Sequence, residues 1–320
     1  MSAAIKSQLS QFALDVTEGL SGPGQKKIPP RYFYDDLGSS LFEAITLLPE
    51  YGLTRADERL LCRYAGQIAT KTGPLSIVTE LGSGNGKKTR RILDAFLQEN
   101  NNTLIYRPID VSCAALETCQ RELGDVCEIR SVCGDWMEGL GQVARELNDA
   151  DPLLLLFLGS SIGNLERACI TEFLRGLRVY LRPGDFFLLG ADLVNDIDAV
   201  LAAYDDPTGV TAAFNLNVLG RINRELDADF DLRSFMHEVR WNDRERRIEM
   251  HLLSSRNQSV RVRALDRIFH FRAGETIWTE SSHKFTADEL VAYAHSSGFQ
   301  PLATWTDGEW PFAETLWRAA

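Results

Sequence analysis

The chain has 320 residues, 44% of them hydrophobic and 25% charged, with a formal net charge of −11. It carries no low-complexity tract and is long for one core, so one large domain with a smaller lobe is expected. An acidic surplus spread along the chain argues against a nucleic-acid surface, which needs a basic patch, and the longest apolar run, Pro152 to Leu158, is too short to cross a membrane.

Residues 6–20 read as a helix ended by Gly22-Pro23-Gly24. That segment carries Lys6, Asp15 and Glu18 and does not read as a signal peptide. Lys26 to Asp36, with Pro29-Pro30 and Tyr32-Phe33-Tyr34, reads as extended and aromatic-rich. Ser39 or Ser40 would cap a short helix through Leu48, broken by Pro49-Glu50-Tyr51-Gly52. Thr54, with Asp57 in a capping box, would then start a long amphipathic helix to about Thr70. No strand is expected before residue 57, which makes this part a lid or a piece of a second lobe.

From residue 75 strand and helix alternate. Strands read at 75–81, 104–111, 127–133, 152–159 and 185–192, with helices at about 86–99, 112–123, 138–148 and 165–180. This βαβ series predicts an α/β fold with a mostly parallel, Rossmann-like sheet and right-handed crossovers. The first strand runs into Glu80-Leu-Gly82-Ser-Gly84-Asn-Gly86-Lys-Lys88. Glycine there lets the backbone turn sharply and bring its N–H groups against a nucleotide. A dinucleotide oxidoreductase needs G-x-G-x-x-G, which this spacing disfavours. An acid ahead of the first glycine suits a ligand with a cationic end, such as the amino-acid part of S-adenosylmethionine.

The other strand ends supply further candidates, because ligands gather outside the carboxyl ends of such strands. Asp110 ends the second strand, where it can take ribose hydroxyls or cap the next helix. Asp135-Trp136 follows the third, as an adenine contact or as a cap and a core indole. The fourth strand, wholly apolar, ends in Gly159-Ser-Ser-Ile-Gly163-Asn164. Asn164 can orient an amine or carboxylate, or cap a helix starting at Leu165.

After Asp192 the alternation stops. Residues 195–230 read as helical, followed by β-like runs at 236–241, 247–255, 258–265 and 269–278, with hairpin turns at Asn242-Asp243 and Asn257-Gln258. A helix at 286–298 and strands at 300–306 and 313–318 would return to the sheet as an antiparallel edge pair. The expected division is a methyltransferase-type sheet domain of 58–194 plus 284–320 and a discontinuous α+β substrate lobe of 1–57 plus 195–283. The six cysteines (62, 113, 119, 127, 133, 169) form no C-x-x-C pair, so buried, reduced thiols in a cytoplasmic protein are expected. The five histidines are scattered without ligand spacing, and no metal is expected.

A set of longer motifs spans nearly the whole chain. These are Pro29-Pro-Arg-Tyr-Phe-Tyr34-Asp, Leu48-Pro-Glu-Tyr51, Glu80-Leu-Gly-Ser-Gly84, Phe157-Leu-Gly-Ser-Ser-Ile-Gly163-Asn164-Leu, Ala203-Tyr204-Asp-Asp, Val210-Thr-Ala-Ala-Phe-Asn215, Asn223-Arg-Glu-Leu, Arg247-Ile-Glu-Met250 and Thr279-Glu280-Ser-Ser282-His-Lys-Phe285. Together they resemble the L-histidine Nα-methyltransferases of ergothioneine biosynthesis. Such enzymes use S-adenosylmethionine to trimethylate the α-amine of histidine, giving hercynine and S-adenosylhomocysteine.

The resemblance implies a cofactor site of Gly82, Gly84, Lys88, Asp110, Asp135 and Trp136, with Tyr34 near the sulfonium and amine. It implies that Asn164 and Tyr204 hold the amino acid's carboxylate and amine end, near Gly159. Tyr51, Glu280 and Ser282 would read the imidazole, with Met250 packing against it. Tyr34 and Asn164 are the implied catalytic residues. Read from the residues alone, Glu280 and Ser282 are an exposed polar strand face, and Met250 is either core or a wall of the substrate pocket. Two positions depart from the family pattern: Gly52 stands where the family has a second aromatic residue followed by proline, and Trp136 where it has phenylalanine.

The chemistry implied is in-line displacement at the sulfonium methyl by a neutral amine, so positioning and desolvation are the main tasks. Tyr34 would accept a hydrogen bond from the amine or relay its proton, and the faces of Phe33, Tyr34 and Phe214 would favour a growing quaternary nitrogen. The expected partner is a small molecule, histidine, with no nucleic acid, no membrane and a monomeric state. The competing readings are an Nα-methyltransferase of another amino acid such as tryptophan, and a non-catalytic nucleotide-binding protein.

Overall fold

A computed structural model describes residues 3–100, 104–147 and 152–320. The chain forms two compact units, Met1–Tyr51 with Asp196–Ser282, and Gly52–Asn195 with His283–Ala320.

The first unit opens with α1 (Ala3–Ser21), β1 (Lys26–Lys27), a 3-10 turn over Pro30–Phe33 and α2 (Asp36–Thr46). Three expectations fail here. The segment read as strand-free contains β1, which runs parallel to a later strand, Lys26 opposite Ile277. The aromatic segment is a 3-10 turn, because Pro30 sits in its first turn, where a missing N–H costs nothing. Helix α2 is capped by Asp35, whose side chain accepts from Gly38 N, and not by a serine.

The second unit begins with α3 (Gly52–Thr72), β2 (Ile77–Leu81), α4 (Arg90–Asn100), β3 (Ile105–Asp110), α5 (Cys113–Leu123), β4 (Glu128–Ile129), β5 (Val132–Cys133), α6 (Trp136–Glu146), β6 (Leu153–Phe157), α7 (Arg167–Tyr180) and β7 (Phe186–Asp192). Because α3 starts at Gly52, Thr54 and Asp57 lie inside it and form no capping box; Asp57 is fully buried. The first unit resumes with α8 (Ile197–Tyr204), α9 (Val210–Leu226), β8 (Phe235–Asn242), β9 (Arg247–Ser254), β10 (Gln258–Val262), β11 (Arg267–Phe271) and β12 (Thr276–His283). The chain ends with α10 (Ala287–Ser296), β13 (Phe299–Thr306) and β14 (Phe312–Ala319).

The second unit is built on one sheet of order β13-β14-β7-β6-β2-β3-β4, with β5 also on β3. Strands β6, β2 and β3 pair in parallel, as do β6 and β7. The terminal hairpin β13–β14 adds antiparallel to β7, as expected from the two final strand signals. Strands β2 and β6 are buried at every position: β6 is a run of apolar residues without alternation, while β2 buries Thr79 and Glu80 among its apolar residues. Leu81, Ile109, Leu155, Phe157, Leu189 and Trp317 sit in the core, each contributing about 1.5–3 kcal/mol by burial.

Two cysteines overturn the reading of six reduced thiols: Cys113 and Cys133 form a disulfide, with Cα atoms 5.5 Å apart. They are 20 residues apart in sequence, with no pair motif. Parallel pairing of Asp110 with Cys133 brings the two strand ends together, a relation that local spacing does not reveal. Cys62, Cys119, Cys127 and Cys169 are free, and the expected burial holds for Cys119 but not for Cys62 and Cys169, which are exposed.

The first unit holds a sheet of order β1-β12-β9-β8 and a separate β10–β11 hairpin. The turn at Asn242-Asp243 joins a hairpin as expected, with Asn242 opposite Arg247. The turn at Asn257-Gln258 does not: β10 pairs with β11, while β9 lies beside β12. The run read as one strand over 269–278 is broken by a turn in which Glu275 N donates to Arg272 O. Aromatic rings form much of this unit's interior, with Phe12 on Tyr32 at 4.3 Å and Phe33 on Phe214 at 4.6 Å between centroids.

Candidate active site

In the sheet unit, the glycine turn after β2 supplies the backbone conformation expected of a phosphate- or nucleoside-binding loop. Gly82, Gly84 and Gly86 all have positive φ (69°, 54° and 72°), the region that favours glycine. Asp110, at the end of β3, accepts from Gly84 N at 2.9 Å through one oxygen and from Ser112 N at 2.8 Å through the other. Ser112, not Asp110, caps α5. Asp110 thus ties the glycine turn to the next strand's end, and each oxygen keeps a lone pair for a ligand hydroxyl. Burial pushes its carboxyl up, against the pull of the backbone N–H groups.

Asp135 caps α6, accepting from Met137 N at 2.9 Å. The Trp136 indole is partly buried, edge-on to Phe157 at 4.9 Å. Its Nε1 lies 3.4 Å from where a Cβ on Gly82 would stand. The cap and packing readings therefore both describe this pair, and the indole also borders the glycine turn. Asn164 closes a short 3-10 turn, Ser161–Asn164, after β6. It does not cap the next helix, since α7 starts at Arg167 after Glu166.

Glu80 is held through one of its two oxygens, Oε2. It is 2% exposed, accepts from Thr89 Oγ1 at 2.6 Å and bonds with the Tyr106 hydroxyl. Burial pushes its pKa up to about 7 against those two bonds. Lys88 is the cation of this end of the sheet. Its Nζ lies 2.5 Å from Asp57 Oδ2 and 3.3 Å from the place of a Cβ on Gly159. Burial works against the ammonium, but Asp57 beside it holds its pKa above the ordinary lysine value.

In the other unit, the residues expected around the acceptor cluster. The Tyr204 hydroxyl donates to Ser282 Oγ at 2.7 Å. Tyr51 stands edge-on to Tyr204 at 6.0 Å and to Phe42 at 6.4 Å. Tyr34 packs edge-on to Phe42 at 5.6 Å and to Phe214 at 5.8 Å. Glu280 and Ser282, two apart on β12, share a strand face. They are 9% and 5% exposed, so the reading of an exposed polar face falls. Met250 is 1% exposed and belongs to the interior.

Three residues to which the amino-acid sequence assigned no role organise this cluster. Phe42 bridges Tyr34, Tyr51 and Phe214. Asn215 donates to His251 O at 3.0 Å and accepts from Thr279 Oγ1 at 2.7 Å. His237 Nε2 reaches the Tyr204 carbonyl at 2.9 Å and Nδ1 reaches Asn215 Nδ2 at 2.8 Å. The carbonyl only accepts, so Nε2 carries the proton and Nδ1 is the acceptor. Phe42 and Asn215 each fall on a helix that positions them by i, i+3 or i+4 spacing, but apolar helix faces carry many such residues.

Gly52 is explained by the sheet unit itself. A Cβ there would come 2.2 Å from the Trp310 ring, and Trp310 Nε1 donates to Asp192 Oδ1 at 2.8 Å. The indole fills the space a side chain at 52 would take.

The family described as histidine-specific, S-adenosylmethionine-dependent methyltransferase matches residues 12–319. The chain belongs to that family. It is similar to the histidine N-alpha-methyltransferase of Mycobacterium tuberculosis, 44% identical over 306 residues covering 94% of this chain and 93% of that protein. The histidine N-alpha-methyltransferase of Mycolicibacterium smegmatis is 44% identical over 305 residues, with the same coverage. Ergothioneine biosynthesis protein 1 of Neurospora crassa is 28% identical over 290 residues, 89% of this chain and 32% of that longer protein. The resemblance drawn from the motifs, the α/β methyltransferase fold and the dependence on S-adenosylmethionine therefore stand. Among the described residues no helix is long and apolar enough to cross a membrane.

Proposed function

We propose that this chain transfers methyl groups from S-adenosylmethionine to the α-amino group of L-histidine, three in succession, giving hercynine as the first step of ergothioneine biosynthesis. The observation that carries the reading is the buried acid–hydroxyl pair Glu280 and Ser282, with Ser282 bonded to Tyr204. A neutral imidazole offers one N–H donor and one acceptor nitrogen. Glu280 would take the N–H. The Ser282 hydroxyl, accepting from Tyr204, would act toward the second nitrogen as a donor. Tyr51 would border the ring, and the buried Met250 would form its floor. Asn164, with Gly159 and Tyr204, would hold the carboxylate and amine.

The residues of the sheet unit fit S-adenosylmethionine. A positive-φ glycine turn leaves Gly84 with nothing near the place of its Cβ, and Asp110 keeps lone pairs for ribose hydroxyls. Gly82, Gly84, Lys88, Asp110, Asp135 and Trp136 are proposed to hold it. When bound, it supplies an electrophilic methyl on a sulfonium. The chain's own work is to orient a neutral amine and exclude water. Tyr34 would accept a hydrogen bond from that amine, and the rings around it would favour the growing cation by about 0.5–2 kcal/mol each.

The test is mass spectrometry of the products of purified protein, S-adenosylmethionine and histidine. Successive gains of up to three methyl groups are expected, with none on histidine blocked at its α-amine. Equal methylation of the blocked compound would overturn the reading, and preference for tryptophan would reassign the substrate.

A further inference from the structure

Three buried carboxyls crowd one lysine in the sheet unit. Asp57, Glu80 and Glu314 are 0%, 2% and 1% exposed, and Lys88 is the cation that all three feel. Three charges against one cannot be sustained out of water, so protons must be retained there. The bonding says where. Asp57 Oδ2 is taken by Lys88 Nζ at 2.5 Å and Gly159 N at 3.1 Å. Glu80 Oε2 accepts from Thr89 and Tyr106. Asp57 Oδ1 and both carboxyl oxygens of Glu314 find no hydrogen-bond donor among the described residues.

Glu314 stands on β14 opposite Gly190 of β7. A Cβ at 190 would meet Glu314 Oε1 at 2.8 Å and Gly159 N at 3.3 Å, so the missing side chain makes room for the acid beside the Gly159 turn. The Gly159 N–H beside that place is the one that donates to Asp57 Oδ2, and burial, then the Asp57 charge, push the Glu314 carboxyl well above the usual carboxylate range, with Lys88 opposing and Glu80 assisting.

We propose that Glu314 is a positioning residue: as a neutral acid it donates its proton to Asp57 Oδ1, and so fixes the carboxylate that holds both the Lys88 ammonium and the Gly159 N–H. One proton satisfies the orphaned Asp57 oxygen and leaves the cluster with two formal negative charges at most, one of them on the salt-bridged Asp57. The device sets the orientation of Lys88 toward the cofactor, and to that extent it rests on Lys88 being a cofactor contact.

The experiment uses the full chain with two readouts. Infrared difference spectra between wild type and Glu314→Gln at neutral pH read the proton directly; a carboxylic-acid carbonyl band present only in the wild type is expected. Calorimetry with S-adenosylhomocysteine reads the consequence. Glu314→Gln keeps a neutral donor and should bind within about threefold of wild type, while Glu314→Leu should lose about tenfold, the scale of orphaning one member of a buried pair. Wild-type binding should also weaken at alkaline pH relative to Glu314→Gln, as the acid ionises. Absence of the band, or Glu314→Gln losing as much as Glu314→Leu, overturns the proposal. A band present while Lys88→Ala binds like wild type would instead remove Lys88 from the cofactor site.

Discussion

The hydroxyl of Tyr204 donates to Ser282 Oγ at 2.7 Å, joining the last residue of α8 to β12 inside one unit. Both residues are buried, at 6% and 5% exposure. The bond occupies one lone pair of the serine hydroxyl. Tyr204→Phe removes it with little change in volume. Histidine affinity by calorimetry should fall about tenfold, one neutral buried hydrogen bond's worth, while affinity for S-adenosylhomocysteine is unchanged.

Glu280 is predicted to be the charged partner of the imidazole. Glu280→Gln keeps size and one acceptor but removes the charge, so histidine should bind about 10–100-fold more weakly, as for loss of a charge-assisted hydrogen bond. Titrating tryptophan against the same variant separates a ring-specific loss from general damage.

Asp110 fastens Gly84 and Ser112 through separate oxygens. Asp110→Asn leaves only one acceptor and places an amide against a backbone N–H. S-adenosylhomocysteine binding should weaken by about tenfold or more, with a melting temperature lowered by a few degrees, from about 1–3 kcal/mol of unsatisfied donor.

Glu80 makes stability depend on pH. Its pKa is raised by burial from 4.5 to about 7. Below pH 4.5 both folded and unfolded chains hold the proton. Between there and about 7 the unfolded chain releases it and the folded chain does not, so stability falls as pH rises, by ~3 kcal/mol, and is level above. Urea unfolding of Glu80→Gln across this range should show a shallower fall than wild type. An identical slope would mean that Glu80 titrates normally.

Gly52 lies under Trp310. Restoring an aromatic residue there, as Gly52→Tyr, should destabilise by about 1–3 kcal/mol through overpacking. Gly52→Tyr with Trp310→Ala should recover part of that loss in thermal melts, because the two side chains compete for one space.

The alternation of apolar strands with amphipathic helices, the glycine turn and the final hairpin were legible in the amino-acid sequence, because each is set by local backbone preference and by burial on both faces of a parallel sheet. The motifs also named the family. Non-local pairing was not legible. The Cys113–Cys133 bond depends on β3 and β5 meeting; β1 is a strand only because β12 offers it an edge; and β10 finds β11, not β9. Side-chain roles divide in the same way. The sequence by itself determined that Glu80 and Asp57 are acids near a glycine turn and a helix start. Only tertiary structure decided that both are buried around Lys88 with Glu314, more than two hundred residues away in the chain, because charge pairing inside a core is settled by which strands and helices pack together and not by spacing along the chain.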